Sequence, residues 1–274
     1  MKKYFAGLII LTLCSMFALR AERVDTIAIH SKAMRKDIKN VIITPDGMNK
    51  ASVYPVLYLL HGYGGRYDTW INKIPGVMGL ADQYQMIIVC PDGGESWYFD
   101  SPIDANYRYE TYITQELLPY VDIHYNTRKI RNGRAIAGLS MGGHGALYLA
   151  FRHQDLFGAC GSMSGCMDMT PFPNNWNIAK RLGVQAKYPE RWRQNSVINM
   201  LHLLTPDSLK IMIDCGTGDF FHSVNAKMHE ELLYHNIPHE YISRPGIHDR
   251  TYWSEAIKTQ ALFFYNYFNS AASK

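Results

Sequence analysis

Gly138-Leu139-Ser140-Met141-Gly142 decides how this chain is read. An apolar run, Ala135-Ile136-Ala137, leads into it, and a helical pattern opening Gly143-His144-Gly145-Ala146-Leu147 follows. A G-x-S-x-G segment between a strand and a helix is a tight turn. Its glycines let the backbone reverse without Cβ clashes, so the serine hydroxyl projects above a sheet. The helix start then aims its amides and positive dipole end at a developing anion. Ser140 is therefore the candidate nucleophile. The Met141 amide, directly after it, is one candidate oxyanion donor.

The rest of the chain supplies a matching frame. Val24–Ile29 and Lys39–Thr44 read as two early, antiparallel strands. Tyr54–Leu60 and Met86–Cys90 are nearly continuous apolar runs, as strands buried on both faces require. Arg134–Ala137, Ala159–Met163, Lys210–Cys215 and His239–Arg244 are further strands. Helical patterns lie between them, near Pro75–Gln83, Tyr109–Val121, Gly143–Arg152, Ser223–His235 and Thr251–Asn269. This alternation predicts an α/β fold, a mostly parallel central sheet flanked by helices. Met167–Asp207 breaks the rhythm with Pro171, Pro173, Trp176 and Trp192. It is too long for an ordinary connection and reads equally as a cap-like insertion over a site or as a packed surface excursion.

A serine hydroxyl needs a base, and the base needs an orienting acid. In sheets of this kind the three follow in the order Ser, acid, His. Of 11 histidines, His248 alone sits in a Pro/Gly-containing loop, Pro245–Asp249, between the last strand and the terminal helix. His222, His229, His235 and His239 belong to or flank the helix Ser223–His235. The acid should leave the preceding strand, and Asp219 lies in that exit loop. Asp214 falls within the strand, and Asp249 is too near His248 in sequence to orient it. The second oxyanion donor is assigned to the Tyr63 amide, in the glycine-rich loop His61-Gly62-Tyr63-Gly64-Gly65 after the strand Tyr54–Leu60.

Composition agrees with one domain. The chain has 274 residues, 47% hydrophobic and 19% charged, which suits a single domain with a large core. Its 28 basic and 24 acidic residues are interspersed, leaving no basic run for nucleic acid. No H-E-x-x-H, CxxC or nucleotide fingerprint occurs, so neither a metal nor a nucleotide cofactor is indicated. Lys2, Lys3, the uncharged run Phe5–Leu19 and Ala21 read as a signal peptide over residues 1–21, implying a secreted or periplasmic protein. That run is too short for a stable membrane span. The domain then occupies 22–274, with the insertion at 167–207. Four cysteines remain, Cys90, Cys160, Cys166 and Cys215. Export permits disulfides among them, but Cys90 and Cys215 end strand-like runs that favour buried thiols.

Four segments together resemble the esterase D and feruloyl esterase family of α/β-hydrolases: Leu57–Gly62, Gly138–Ala146, Asp214–Asp219 and Gly246–Trp253. They span nearly all of the chain after residue 21. The resemblance implies an α/β-hydrolase fold, no cofactor, the triad Ser140, Asp219 and His248, and oxyanion amides from Tyr63 and Met141. Two departures sit beside the histidine: Ile247 precedes it, where relatives often have Gly, and Asp249-Arg250-Thr251 follows. They bear on substrate, not on reaction type. The expected substrate is a small or polysaccharide-linked acyl ester, feruloyl or acetyl. Acyl transfer to a sugar or lipid, an S-formylglutathione hydrolase-like thioesterase and a non-catalytic carbohydrate-binding protein are the rivals. Trp97, Tyr98, Trp176 and Trp253 are candidates for an aromatic substrate wall, or for the core. His61 and His144 are further candidates to line the site.

Overall fold

In the computed structural model, residues 23–49 and 51–272 are described. The expected signal segment, residues 1–21, lies outside them. Eight strands form one sheet: β1 (Arg23–Ser31), β2 (Lys36–Thr44), β3 (Val56–Leu60), β4 (Ile87–Pro91), β5 (Arg134–Leu139), β6 (Ala159–Met163), β7 (Lys210–Gly216) and β8 (Glu240–Arg244). Their order is β1-β2-β4-β3-β5-β6-β7-β8. The β1–β2 and β2–β4 pairs are antiparallel and the remaining neighbours are parallel. The α/β-hydrolase fold read from the sequence is the one observed.

The continuous apolar runs are explained by two cores. Val56, Tyr58 and Leu60 of β3 enter one, while Leu57 and Leu59 enter the other. Successive side chains alternate across a strand, so a strand covered on both faces needs apolar residues at every position. Helices α1 (Thr69–Lys73) and α2 (Val77–Tyr84) cover one face together with the long terminal helix α9 (Arg250–Ala272). The other face packs α3 (Tyr109–Thr111), α4 (Leu118–His124), α5 (Met141–Arg152) and α8 (His222–Tyr234).

Local chemistry moves some expected boundaries. Strand β3 starts at Val56 because Pro55 has no N–H for the ladder, and Tyr54 bridges to Thr127 instead. The helix expected over 75–83 is α2, which starts at Val77 after Gly76 at φ 86°, and the short helix α1 before it had no counterpart among the expected helices. The helix from Tyr109 continues to His124 through a π turn at Tyr112–Leu117. Residues 167–207 carry two short helices, α6 (Ile178–Leu182) and α7 (Pro189–Asn195), and a 3₁₀ segment, Val197–Leu203. Much of this segment packs inward: Ile178, Leu182, Trp192 and Val197 are fully buried. Cys90, Cys160, Cys166 and Cys215 are free, buried thiols. No helix among the described residues is long and apolar enough to cross a membrane.

Candidate active site

The Ser140 turn is fixed by backbone. Strand β5 ends at Leu139, α5 begins at Met141, and Ser140 between them has φ 55° and ψ −120°. A non-glycine residue in this region is strained and persists only where its surroundings dictate it. They do so here. The Ser140 N–H donates to the Met163 carbonyl at 2.8 Å, and its own carbonyl accepts from the His144 N–H at 3.1 Å. The flanking glycines leave no room for side chains. A Cβ on Gly138 would stand 2.4 Å from the Gly142 carbonyl oxygen, and one on Gly142 would stand 2.4 Å from the Leu60 carbonyl oxygen.

Two loops at neighbouring strand ends bring up the partners. The His248 Nε2 lies 2.9 Å from the Ser140 hydroxyl, and its Nδ1 lies 2.8 Å from Asp219 Oδ2. Because a carboxylate only accepts, Nδ1 carries the proton and Nε2 is left to accept from the serine. The other Asp219 oxygen accepts the Phe221 N–H at 2.8 Å. The Asp219 side chain is fully buried and that of His248 is 13% exposed. The loops are tied to each other: the Thr217 N–H donates to the Arg244 carbonyl at 2.9 Å and the Gly218 N–H to the Gly246 carbonyl at 2.8 Å. The acid is thus held at a set distance from the imidazole.

The rival acids are occupied elsewhere. Asp214 is fully buried, accepts from Arg244 at 2.8 Å and from the Tyr252 hydroxyl. Burial raises its carboxyl above the usual range, against the pull of those two partners. Asp249 accepts the Tyr252 N–H at 2.9 Å through its side chain and the Trp253 N–H at 3.2 Å through its carbonyl. It caps the start of α9.

The loop after β3 turns back toward Ser140. Its Gly65 N–H donates to the Gly62 carbonyl at 3.0 Å, and Gly64 takes φ 73°, which glycine adopts without strain. Gly62 to Gly65 and Ser140 line one cavity. The Met141 amide is among the first four of α5, which have no acceptor within the helix. A serine hydroxyl bonded to an oriented imidazole, beside backbone amides at a helix start, can attack a carbonyl carbon and hold the resulting oxyanion.

A family model described as "Putative esterase" matches residues 31–264. The chain belongs to this esterase family. An esterase of Mycobacterium tuberculosis is 36% identical over 235 residues, covering 76% of this chain and 52% of the relative. The chain therefore spans about half the length of that protein. A diacylglycerol acyltransferase/mycolyltransferase of Mycobacterium bovis is 28% identical over 215 residues, covering 71% of this chain and 61% of that one. Among solved structures, a ferulic acid esterase superposes with a TM-score of 0.78 at 30% identity, covering 90% of this chain and 98% of its own.

The cavity of this esterase-family chain measures about 320 Å³. Its aromatic lining comes from Tyr63, Trp176, Phe220 and Trp253. Trp176 stacks on Phe220 with centroids 5.7 Å apart, Phe220 lies 4.2 Å from the His248 ring, and Trp253 meets that ring edge-on at 4.9 Å. Trp176 is the one cavity-lining residue drawn from 167–207. It is held from behind: its carbonyl accepts the Trp97 Nε1–H at 3.2 Å. Its neighbour Asn177 donates to the Tyr63 hydroxyl and to Glu95, both at 2.8 Å.

Four expected lining residues do not reach the cavity. Trp97 and Tyr98 are buried behind it, both at φ 61°, and the Tyr98 hydroxyl donates to the His61 carbonyl at 3.1 Å. His61 is buried as a strap, its Nδ1 donating to the Gly62 carbonyl at 2.7 Å and its Nε2 accepting the Gly93 N–H at 2.8 Å. His144 is enclosed by Trp97, Phe99 and Tyr148, with Nε2 at 2.8 Å from the Asn195 carbonyl. Each ring is spent on a backbone group or a neighbouring ring, so none faces the cavity. Conversely, Thr69, Lys73, Ile74 and Phe220 line the cavity without having been singled out, and Arg250, noted only as a departure from the family pattern, lines it too. Phe220 and Arg250 stand one and two residues from Asp219 and His248, a proximity visible in the sequence. Lys73 carries no such signal.

Proposed function

We propose that this chain is a carboxylic ester hydrolase in which Ser140, His248 and Asp219 act as a catalytic triad. The observation that carries the reading is the unbroken hydrogen-bond chain from the Ser140 hydroxyl through His248 to buried Asp219. Ser140 attacks the ester carbonyl as His248 takes its proton. The oxyanion forms against the amides of Met141 and Tyr63. His248 then protonates the leaving alcohol, and water activated by the same imidazole releases the acid from the acyl-enzyme. Asp219 orients the imidazole and stabilises the imidazolium. Family membership and the likeness to an esterase and a ferulic acid esterase support the chemistry.

The substrate we assign is an acyl ester of a carbohydrate, acetyl or feruloyl. The aromatic cluster of Trp176, Phe220 and Trp253 beside His248 supports a flat acyl group, and the apolar run at Phe5–Leu19 supports export. The test is Ser140→Ala in a panel of acetyl, butyryl and feruloyl esters, with labelling by a fluorophosphonate. Loss of turnover and of labelling in a folded protein is expected. Turnover retained by Ser140→Ala would overturn the assignment. A second reading, acyl transfer to a sugar or lipid, is favoured by the resemblance to a mycobacterial acyltransferase. Acylated product formed from an added alcohol acceptor, in preference to free acid, would select it.

A further inference from the structure

The cavity beside Ser140 is lined by two cations and by no carboxylate. Lys73 ends α1 and Arg250 opens α9, and both are exposed. Among the described residues, neither has an ion-pair partner. The carboxylates around them are engaged: Asp68 by Arg66 at 3.3 Å, Asp219 by His248, Glu95 by Asn177, and Asp249 by the first turn of α9.

Helix stability accounts for one of these cations and not for the other. Lys73 stands in the last turn of α1, where a positive charge suits the dipole. Arg250 stands at the first position of a 23-residue helix whose first turn has no acid of its own, so its charge opposes that dipole. A guanidinium in such a place, facing the same cavity as the candidate nucleophile, has a use if an anion comes to it. It presents a planar pair of N–H donors to a carboxylate.

We infer that this site selects acyl esters that carry a carboxylate, on either the acyl or the alcohol part, and that Lys73 and Arg250 hold that charge while Ser140 is acylated. The inference rests on the esterase reading above. Because both side chains are exposed, each contributes modestly and is weakened by salt. Neutral esters remain substrates, and the charged group raises kcat/KM above that of its neutral counterpart.

Two substrate pairs separate the possible origins of the charge. 4-Nitrophenyl hydrogen succinate against its methyl ester places the carboxylate on the acyl side. 4-Acetoxybenzoate against its methyl ester places it on the alcohol side. In one pair or both, the charged-to-neutral ratio of kcat/KM is expected to fall about five- to tenfold in Lys73→Gln/Arg250→Gln, the size of two exposed ion pairs. The wild-type ratio should also fall as salt is raised. An unchanged ratio in both pairs overturns the inference while leaving the esterase reading standing. Calorimetry on Ser140→Ala with benzoate against benzyl alcohol reads the same cations without turnover. Benzoate binding that weakens in the charge-removed background supports the inference even if no ester is hydrolysed, and equal binding in both backgrounds overturns it.

Discussion

Two regions meet at the cavity, and they are secured by different means. The floor, from Gly138 to His144 with the loops bearing Asp219 and His248, is held largely by main chain. Its constraints are the Met163 carbonyl on the Ser140 amide, the Leu60 carbonyl against Gly142, and the amide links between the two loops. The wall, drawn from 167–207, is held by side chains: Asn177 on Tyr63 and Glu95, Trp97 on the Trp176 carbonyl, Trp192 on the Gly183 carbonyl at 2.9 Å. Backbone constraints tolerate few substitutions, because any side chain added there meets an atom that cannot rotate away. Side-chain constraints change with single residues. Substitutions at the wall should therefore be tolerated more readily than substitutions at the floor.

The contrast breaks most visibly at Ser140, the proposed nucleophile. Ser140→Ala should lower kcat on 4-nitrophenyl acetate on the order of 10⁶-fold with an unaltered circular dichroism spectrum. Asp219→Asn should lower it about 10⁴-fold by allowing the wrong imidazole tautomer. Asp214→Asn, five residues earlier, should change the thermal midpoint far more than kcat if Asp219 is the acid. Gly142→Ala should destabilise the fold by about 3 kcal/mol in urea titration, since its methyl group meets the main-chain carbonyls of Leu60 and His61, which cannot rotate away. On the wall, Trp176→Ala should cost about fivefold in kcat/KM for feruloyl esters and less for acetyl esters, as the loss of one aromatic contact predicts. Equal losses for both acyl groups would remove Trp176 from substrate choice.

A separate, pH-dependent effect comes from the residue that joins floor to wall. His144 leaves α5 and meets the Asn195 carbonyl of α7, and burial pushes its imidazole down to about 4. The unfolded chain takes up that proton near its ordinary value of about 6.5. Stability from the neutral ring is thus full above about 6.5 and is lost as pH falls through about 4. The urea midpoint should drop between neutral and mildly acidic pH, and His144→Gln should flatten that drop.

Much of the floor was legible in the sequence because its rules are local. Glycines flank Ser140, Asp219 and His248 follow strands, and each apolar run has one length and one position in the order. The wall was legible only as an interruption. Nothing in Trp97-Tyr98 says that both rings turn inward, which follows from two successive positive-φ residues in the loop after β4. His61 and His144 read as site residues because they neighbour the motifs, yet their ring nitrogens satisfy backbone groups across the fold. Lys73 reaches the cavity from α1, a five-residue helix too short for its periodicity to stand out before the helix expected at Pro75.

The placement of β8 has a further consequence. It is one of the two edge strands, hydrogen-bonded to β7 alone, with side chains that are partly or fully exposed along its length, and the loop carrying His248 leaves from its end. Sheets fray from their margins at less free energy than global melting requires. Warming should therefore uncouple the imidazole from a serine still seated on the central strands. Heat inactivation would then run ahead of denaturation and reverse on cooling, with the salt link from Arg244 to Asp214 setting how early it begins.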